Sequence, residues 1–532
     1  PVLIAQLAWF MHWKKFLLLK TTFCIELSNW IRINSLNKYK VFYSIIFLID
    51  IYDKYNLENN KLLTVDDAEL LNIEEVHKLY RDYVNNSQVD LISKFGFGND
   101  LAEYSDGIMI KTKSGKEIYD FTGGIGVLNH GHNNQRILNL RKKFSEEKRM
   151  EVHKNFFSPY VAVLSKNISD LLPGDLDISY FSNSGADANE GAIKLAYKYH
   201  EGKRNVILTS DISFHGKKIV ASNITNSRET NYFSFQKIVN SQTFEFNNFD
   251  SLKKKVEQLK NNQNSNVYAI ILEPFSASSL LSLSEEFLRN TRKLCDDEDI
   301  VLIFDEIYSG WAKTGNLFYF MNFDGLFPDI LTSGKSLGGG KASISAYTCR
   351  KKFFNKAYNN LRDATLHSTT FNGLGEETAT AIESINIIID EEYVIKSKKI
   401  FNFMNPRLLE LKKKFPKVIK DIRGSGSLNG VVINTEFPDK YIQPILSLLP
   451  LKFTKDEYAI KKILVSSVIS ELYDKYNILT FYGSNVDLPL KISCPVNTNK
   501  ESLEYFLNSF EKVLENGIIA ALKNFIKKNI LK

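Results

Sequence analysis

The chain has 532 residues, 44% hydrophobic, 12% aromatic and 24% charged, an ordinary globular composition long enough for two to four domains with sizeable cores. Its formal net charge of +7 comes from 68 basic against 61 acidic residues spread along the chain, with no dense basic block of the kind that marks a nucleic-acid arm. Cys24, Cys295, Cys349 and Cys494 show no CxxC spacing, which argues against a zinc site and a disulfide framework and fits a reducing cytoplasm.

The opening segment is apolar and aromatic but interrupted. Pro1–Leu19 carries Gln6, His12, Lys14 and Lys15, and Val41–Ile51 carries Asp50. Neither run reaches the roughly 18 apolar residues that span a bilayer, and no basic stretch precedes the first as in a signal peptide. Residues 1–60 are expected to pack on the protein or on a partner subunit, with membrane contact as the alternative; the opening Pro fits a fragment or an unusual start.

Ala68–Asn85 has helical spacing (Leu70, Leu71, Ile73, Val76, Leu79, Tyr80, Tyr83), ended by Phe95-Gly-Phe-Gly98. Gly107–Phe121 reads as a hairpin turning at Lys113-Ser-Gly-Lys116. Gly123–His132 is a glycine-rich loop able to approach a ligand closely. His130 and His132 could ligate a metal, but no acidic or Cys partner stands near them, so loop packing is the expected role and no metal is predicted.

From Ser158 onward strands alternate with helices. Ile178–Phe181 is followed by Ser182-Asn-Ser-Gly-Ala-Asp-Ala-Asn-Glu190 and a helix (Ala192–His200), where small residues at a helix N-terminus make an anion site. Asn205–Thr209 precedes Ser213-Phe-His-Gly216; Val267–Leu272 ends in Glu273-Pro274; Ile300–Phe304 ends in Asp305-Glu306. Such alternation predicts a mainly parallel sheet with helices on both faces and ligands at the strands' C-terminal ends. Ser184, Phe214, His215, Glu273, Asp305 and Lys335 all fall just past such ends.

Lys335 sits in Asp329-Ile-Leu-Thr-Ser-Gly-Lys-Ser-Leu-Gly-Gly-Gly340, between an apolar run and three glycines. A lysine desolvated there has a lowered pKa and a nitrogen free to form a Schiff base. Gly334-Lys335-Ser336 also resembles the tail of a phosphate-binding P-loop, but the position needing the first glycine is Asp329. A surface lysine in a glycine-rich turn is the plain alternative.

After Thr370, a helix (Glu376–Ile388) and a connecting helix lead to Val418–Arg423, Gly424-Ser-Gly426, strand Leu428–Ile433, a helix near Tyr458–Tyr473, strands at Ile478–Tyr482 and Leu490–Ile492, and a closing helix, Lys500–Leu514. The apolar Glu436–Lys455 insertion could be a lid over an apolar substrate or part of the small domain's packing.

Taken together, these residues resemble the class III (ω-type) pyridoxal-phosphate aminotransferases over roughly Gly107 to Leu514. The ordered motifs are Asp120-Phe-Thr-Gly-Gly-Ile-Gly-Val127, Ser182–Glu190, Phe214-His-Gly216, Glu273-Pro274, Leu302–Ile307, Pro328–Gly340, His367–Phe371 and Arg423-Gly-Ser-Gly426. The resemblance implies an α/β, fold-type I enzyme with a seven-stranded, mainly parallel sheet and a smaller α+β C-terminal domain. It would consist of a segment 61–150 joining the small domain, a large domain over 151–395 and a small domain over 396–532.

By that resemblance Lys335 would hold pyridoxal 5'-phosphate as a Schiff base, and Asp305 would pair with its pyridine nitrogen. Phe214 and Ile307 would flank the ring, with His215 beside them. Ser184, Gly185 and Ala186 would hold the phosphate with Thr370 of the other subunit, and Glu273 would lie near the phenolic oxygen. The enzyme would be a cytoplasmic homodimer with shared active sites, moving an amino group between an amine or amino acid and an aldehyde or keto acid. An aminomutase or decarboxylase of the same fold is the alternative, and a cofactor-free scaffold or nucleotide binder the reading from another class.

Three positions depart from the family. Tyr308 stands where the family usually has Gln near the phenolic oxygen. Lys491 stands where many members bind a substrate carboxylate with arginine, and Ser278 where many carry the glutamate that pairs with that arginine. Lysine lacks the planar fork that suits a carboxylate, so a different recognition scheme and a poor use of glutamate are expected.

Overall fold

The computed structural model describes residues 62–94, 96–226, 238–261, 266–358, 360–434 and 457–529. The opening segment 1–60, Phe95 and the Glu436–Lys455 insertion lie outside the described residues. The chain divides into two units, Pro1–Val76 and His77–Lys532. In the first, Thr64 and Asp67 close a capping box on the helix Val65–Leu70.

The single helix expected over 68–85 is broken. The backbone leaves the helix at Leu71 (ψ 141°), and Asn72 and Glu75 start the next one by reciprocal side-chain to backbone hydrogen bonds of 2.9 and 3.0 Å. That helix, Ile73–Tyr80, runs through a π turn, Arg81–Asn85, into Asn86–Lys94.

Strands β1 (Ala102–Asp106), β2 (Met109–Thr112) and β3 (Glu117–Asp120) form an antiparallel meander, whose second turn is the expected hairpin at Lys113–Lys116. The main sheet takes β4 (Leu176–Ser182), β5 (Val206–Ser210), β6 (Ser241–Phe244) and β7 (Val267–Leu272). A two-residue pair, β8 (Phe275–Ser276) and β9 (Leu281–Ser282), interrupts before β10 (Val301–Asp305), β11 (Ile330–Ser333) and β12 (Ser345–Arg350) complete it.

The seven strands lie in the order β4-β12-β11-β10-β7-β5-β6. All are parallel except β12, which runs against both β11 and β4. Every residue of β7 and β10 is buried, as in strands covered on both faces. On one face Ala192, Leu195 and Ala196 pack on Ile207, Ile271 and Ile303; on the other Ile270, Leu302 and Phe304 pack with Ile168, Phe287 and Ile385. The helix bearing Ala192 begins earlier than expected, at Gly185, because Ser184 accepts from the Asp187 N–H and caps it.

Helices Gly375–Asp390 and Tyr393–Lys414 lead to β13 (Ile419–Ser425) and β14 (Leu428–Ile433), then the helix Glu457–Tyr476. The strand expected over 478–482 is shared between two sheets. β15 (Ile478–Leu479) adds parallel to β3, whereas β16 (Phe481–Tyr482) pairs antiparallel with β17 (Leu490–Ser493), and buried Thr480 is the crossing point. A core of Phe121, Val431, Leu464, Val468, Phe506 and Phe510 therefore joins the meander to the C-terminal elements. No helix among the described residues is long and apolar enough to cross a membrane.

Candidate active site

The parallel strands deliver their last residues to one edge of the sheet, and the candidate site is built there. Asp305 closes β10 and is 5% exposed. Its Oδ2 accepts from Asn189 Nδ2 and lies against His215 Nδ1, both at 2.8 Å, and its Oδ1 accepts from the Ile307 N–H at 3.1 Å. Asn189 also donates to the His215 carbonyl and accepts from Thr332 Oγ1, each at 2.8 Å, so it ties the helix, the Phe214-His215 loop and β11 to one carboxylate. His215 is held in turn by Thr209 Oγ1 through its other ring nitrogen and by Thr225 Oγ1 at its backbone N–H.

A helix start lies beside this cluster. Ser184 caps the fifteen-residue helix Gly185–Tyr199, whose first N–H groups lack intrahelical acceptors. A Cβ at Gly185 would meet Ile307 Cγ2 at 2.7 Å, so only glycine lets the helix start come this close to the turn after β10.

Lys335 follows β11 through Gly334 and opens a four-residue 3-10 turn, Lys335–Gly338. Its φ of +45° is left-handed, a strain on the order of 1–3 kcal/mol for a residue with a side chain. The turn is anchored by Ser336, which donates to the Gly126 carbonyl at 3.0 Å and accepts at its own carbonyl from Ser384. A P-loop lysine would stand at the start of a long helix, whereas this turn ends at Gly338.

The Lys335 amine stands 4.8 Å from the centre of the Tyr308 ring. Burial lowers its pKa, against the opposing pull of Asp305 and Glu273. Glu273, just past β7, accepts from the Phe214 N–H at 2.8 Å, and burial pushes its carboxyl up to about 7. Tyr308 bonds Ser493 Oγ through its hydroxyl at 3.4 Å, and burial raises its phenol. Lys491 Nζ lies over the same Tyr308 ring at 4.6 Å and over Phe481 at 4.8 Å.

The structure thus gathers Asp305, His215, Phe214, Glu273, Ile307, Tyr308, Lys335 and Lys491 with the Ser184–Ala186 helix start. Ser278 lies in the turn between β8 and β9, its hydroxyl 3.2 Å from Ser276 Oγ and 3.3 Å from Asn485 Nδ2. Thr370 is exposed and lines a cavity of about 1030 Å³ with Lys154, Tyr180 and His367, and the carbonyl of its neighbour Phe371 accepts from Asn183, beside Ser184, at 3.2 Å. His130 is a packing residue bonded to Tyr393 and Ser384, and His132 has an acidic partner after all, Asp120 at 2.9 Å. No cluster of metal-ligating residues occurs among the described residues.

Sequence reasoning passed over Asn189, Lys313 and Phe481. Asn189 lies four residues after Gly185, on the helix face turned to the sheet, and that spacing was the available signal. Lys313, in Gly310-Trp-Ala-Lys313, is fully buried with no hydrogen-bond partner for its amine among the described residues.

The family profile "Aminotransferase class-III" matches residues 100–456. A curated relative, Aminotransferase PigE of Serratia sp. (strain ATCC 39006), is 24% identical over 472 residues, which are 83% of this chain and 53% of the relative. The chain therefore spans about half the length of that protein. Among solved structures, ornithine aminotransferase from Toxoplasma gondii superposes with a TM-score of 0.69 at 23% identity, covering 85% of this chain and 97% of that one. Taurine:2-oxoglutarate aminotransferase from Bifidobacterium kashiwanohense, solved with PLP and glutamate, gives 0.69 at 22% identity, covering 84% and 98%. At these identities the structural matches speak for the fold.

Proposed function

The chain belongs to the class III aminotransferase family, and from that premise we propose that it is a pyridoxal 5'-phosphate-dependent aminotransferase. It would move an amino group between an amine or amino acid and an aldehyde or keto acid. The observation that carries this reading is a buried carboxylate, Asp305, locked by His215 and Asn189 on the strand next to the one that delivers a desolvated lysine, Lys335.

The donor chemistry fits the cofactor. A helix start suits its phosphate, Asp305 suits a protonated ring nitrogen, and Lys335 suits its aldehyde carbon. Ser184, Gly185 and Ala186 would hold the phosphate, Phe214 and Ile307 would bracket the ring, and Glu273 and Tyr308 would stand near its oxygen. When bound, pyridoxal phosphate supplies the carbonyl that takes up the amino group and an electron-withdrawing ring that acidifies the neighbouring C–H.

The chain's own residues do the rest. Burial favours the uncharged Lys335 amine, the form that accepts a proton from the donor's α-carbon and later returns one. His215 and Asn189 hold the Asp305 carboxyl group in place through its Oδ2, where it would pair with the cofactor's ring nitrogen. Phe275, Ala277, Leu280 and Leu428 form an apolar cluster against Tyr308 that excludes water from one side.

We further propose a homodimer. Phe156, Phe157, Leu361, Leu366 and Phe371 are exposed, and Lys154 hydrogen-bonds to Thr369 and Asn372, so the two segments carrying them are neighbours. A monomer rarely leaves such a patch open. The same segment carries Thr370, which supports completion of the phosphate site across a dimer.

The test is the visible spectrum of the purified protein during titration with L-glutamate. A yellow band that bleaches establishes cofactor, lysine and a glutamate donor. A stable band retains the enzyme class with another amine as donor. Absence of any band after adding pyridoxal phosphate overturns the reading.

A further inference from the structure

Two residues on facing segments break the rules of their own local structure at a single point of contact. Leu280 ends the turn Ala277–Leu280 between β8 and β9 with φ +57°, a left-handed conformation that a residue with a Cβ disfavours. Gly430 stands in the interior of β14, where glycine weakens a strand. The two irregularities answer each other. A Cβ on Gly430 would lie 2.1 Å from Leu280 Cδ1, so the leucine fills the notch that the glycine leaves. Leu280 is 2% exposed there and packs with Phe275, Ala277 and Leu428.

The notch lies on the sheet face that carries Lys491 to the Tyr308 ring. Arg423, Gly430 and Lys491 are register partners on β13, β14 and β17, so they share one face, and Leu280 enters their row between the two cations. Its turn is gripped on both sides of that entry. Arg423 Nη1 donates to the Ser279 carbonyl at 2.9 Å, and Asn485 Nδ2 donates to the Ser278 hydroxyl at 3.3 Å. A Cβ at Gly483 would lie 2.0 Å from the Ser278 carbonyl oxygen. Arg423 is itself held by Asp421 and Asp487. The start of the turn is fixed to the large domain: Ser276 Oγ donates to Glu273 Oε2 and the Ala277 N–H to Glu273 Oε1, both at 3.4 Å. The Leu280 N–H closes the turn on the Ser276 carbonyl at 2.7 Å.

The turn thus bridges the end of β7 and the small-domain sheet, and Leu280 is the part of it that acts by shape. We propose that Leu280 is a positioning residue for the aminotransferase reaction: a wedge that sets how far β14 and β17 stand from the strand ends of the large domain, and so how far the Lys491 side of the site stands from Lys335. This rests on the aminotransferase reading and extends it to a residue outside the set that would hold the cofactor. A hydrogen bond such as that of Ser278 tolerates small displacements, whereas close-packed apolar atoms resist further approach steeply, so the wedge fixes the spacing. It acts on substrate placement. The elements that would take the cofactor, β10, β11 and the helix start at Gly185, all belong to the large domain and are expected to keep their places when the wedge is altered.

The test is a pair of complementary substitutions in the full, cofactor-loaded chain. Three quantities are read: KM and kcat for an amino donor that turns over, the cofactor's dissociation constant from its visible band, and the urea midpoint. Gly430→Ala drives a Cβ into the wedge and is expected to raise the donor KM about tenfold or more, with kcat within about twofold and cofactor affinity kept. Leu280→Ala, which removes the wedge, is expected to raise KM as well, again with cofactor affinity kept. The double variant is expected to recover most of the KM and of the urea midpoint lost in Gly430→Ala. Recovery follows because the next atom a Cβ at Gly430 meets, the Leu490 carbonyl oxygen, lies at 3.0 Å. An unchanged KM in either single variant, a cofactor affinity that falls in step with KM, or a double variant no better than Gly430→Ala would each overturn the proposal. If Gly430→Ala does not fold, a folded and active double variant supports the wedge, and a double variant that also fails refutes it. The aminotransferase reading fails in a different way, by the absence of a cofactor band in the wild type, while the urea midpoints still report the contact between Leu280 and Gly430.

Discussion

Lys313 shows how much a single side chain can weigh on this fold. Its amine is buried without a hydrogen-bond partner among the described residues, and burial, reinforced by Lys335, brings its pKa from 10.5 to about 8. A depressed lysine pKa means that the unfolded chain holds the proton more tightly. The contribution to stability is present above the ordinary value near 10.5 and is lost as pH falls through about 8. At pH 7 the deficit is about 3 kcal/mol. Lys313→Met, similar in volume and without the charge, is therefore expected to raise the urea midpoint at pH 7 and to flatten the gain in stability between pH 7 and 10. Equal loss of stability at both pH values would show that the amine has a partner that holds it charged. Residues of this kind were hard to foresee: nothing local marks Lys313 as interior, and two of the groups that act on its amine, Asp120 and Cys494, lie far away along the chain. Asp305 and Lys335 were legible because each stands at the end of an unmistakable apolar strand.

At the scale of elements, the central strands of the seven-stranded sheet were legible almost to the residue, as Val267–Leu272 and Val301–Asp305 show, because burial on both faces leaves a nearly unbroken apolar signature. The run 478–482 was not, since the split at Thr480 is dictated by two partners, β3 and β17, that the local sequence does not record. The glycine turn Gly123–Gly126 and the lysine turn Lys335–Gly338 are clamped together by Ser336. Gly126 has φ +85°, and a Cβ there would lie 2.5 Å from the Tyr308 ring. Gly126→Ala is expected to cost about 1–3 kcal/mol in thermal unfolding and to push Tyr308 toward Lys335, moving the cofactor's visible band. An unchanged melting temperature with an unchanged band would show that the ring has room to retreat.

At the scale of the whole molecule, the exposed Phe157 and Leu361 make association testable without chemistry. Replacing both with Asp is expected to convert a dimer, measured by light scattering, into a monomer that loses cofactor on dialysis. A monomeric wild type, or a doubly substituted chain that remains dimeric, would refute the shared-site arrangement. The placement of β12 carries a different consequence. β4, which leads to Ser184, has no neighbour in the sheet except β12 among the described residues, and Ser182 and Ser345 join the two strands by their hydroxyls at 2.9 Å. During synthesis on the ribosome, β4 emerges about 160 residues before the strand that pairs with it, and an unpaired strand edge invites association with other chains. The last gap in the sheet closes only after the lysine turn has been made, so β12 acts as a latch that sets the helix start at Gly185 and Lys335 in place together. Nascent chains stalled before Ser345 should therefore depend on chaperones, whereas chains stalled just beyond Arg350 and clear of the exit tunnel should not.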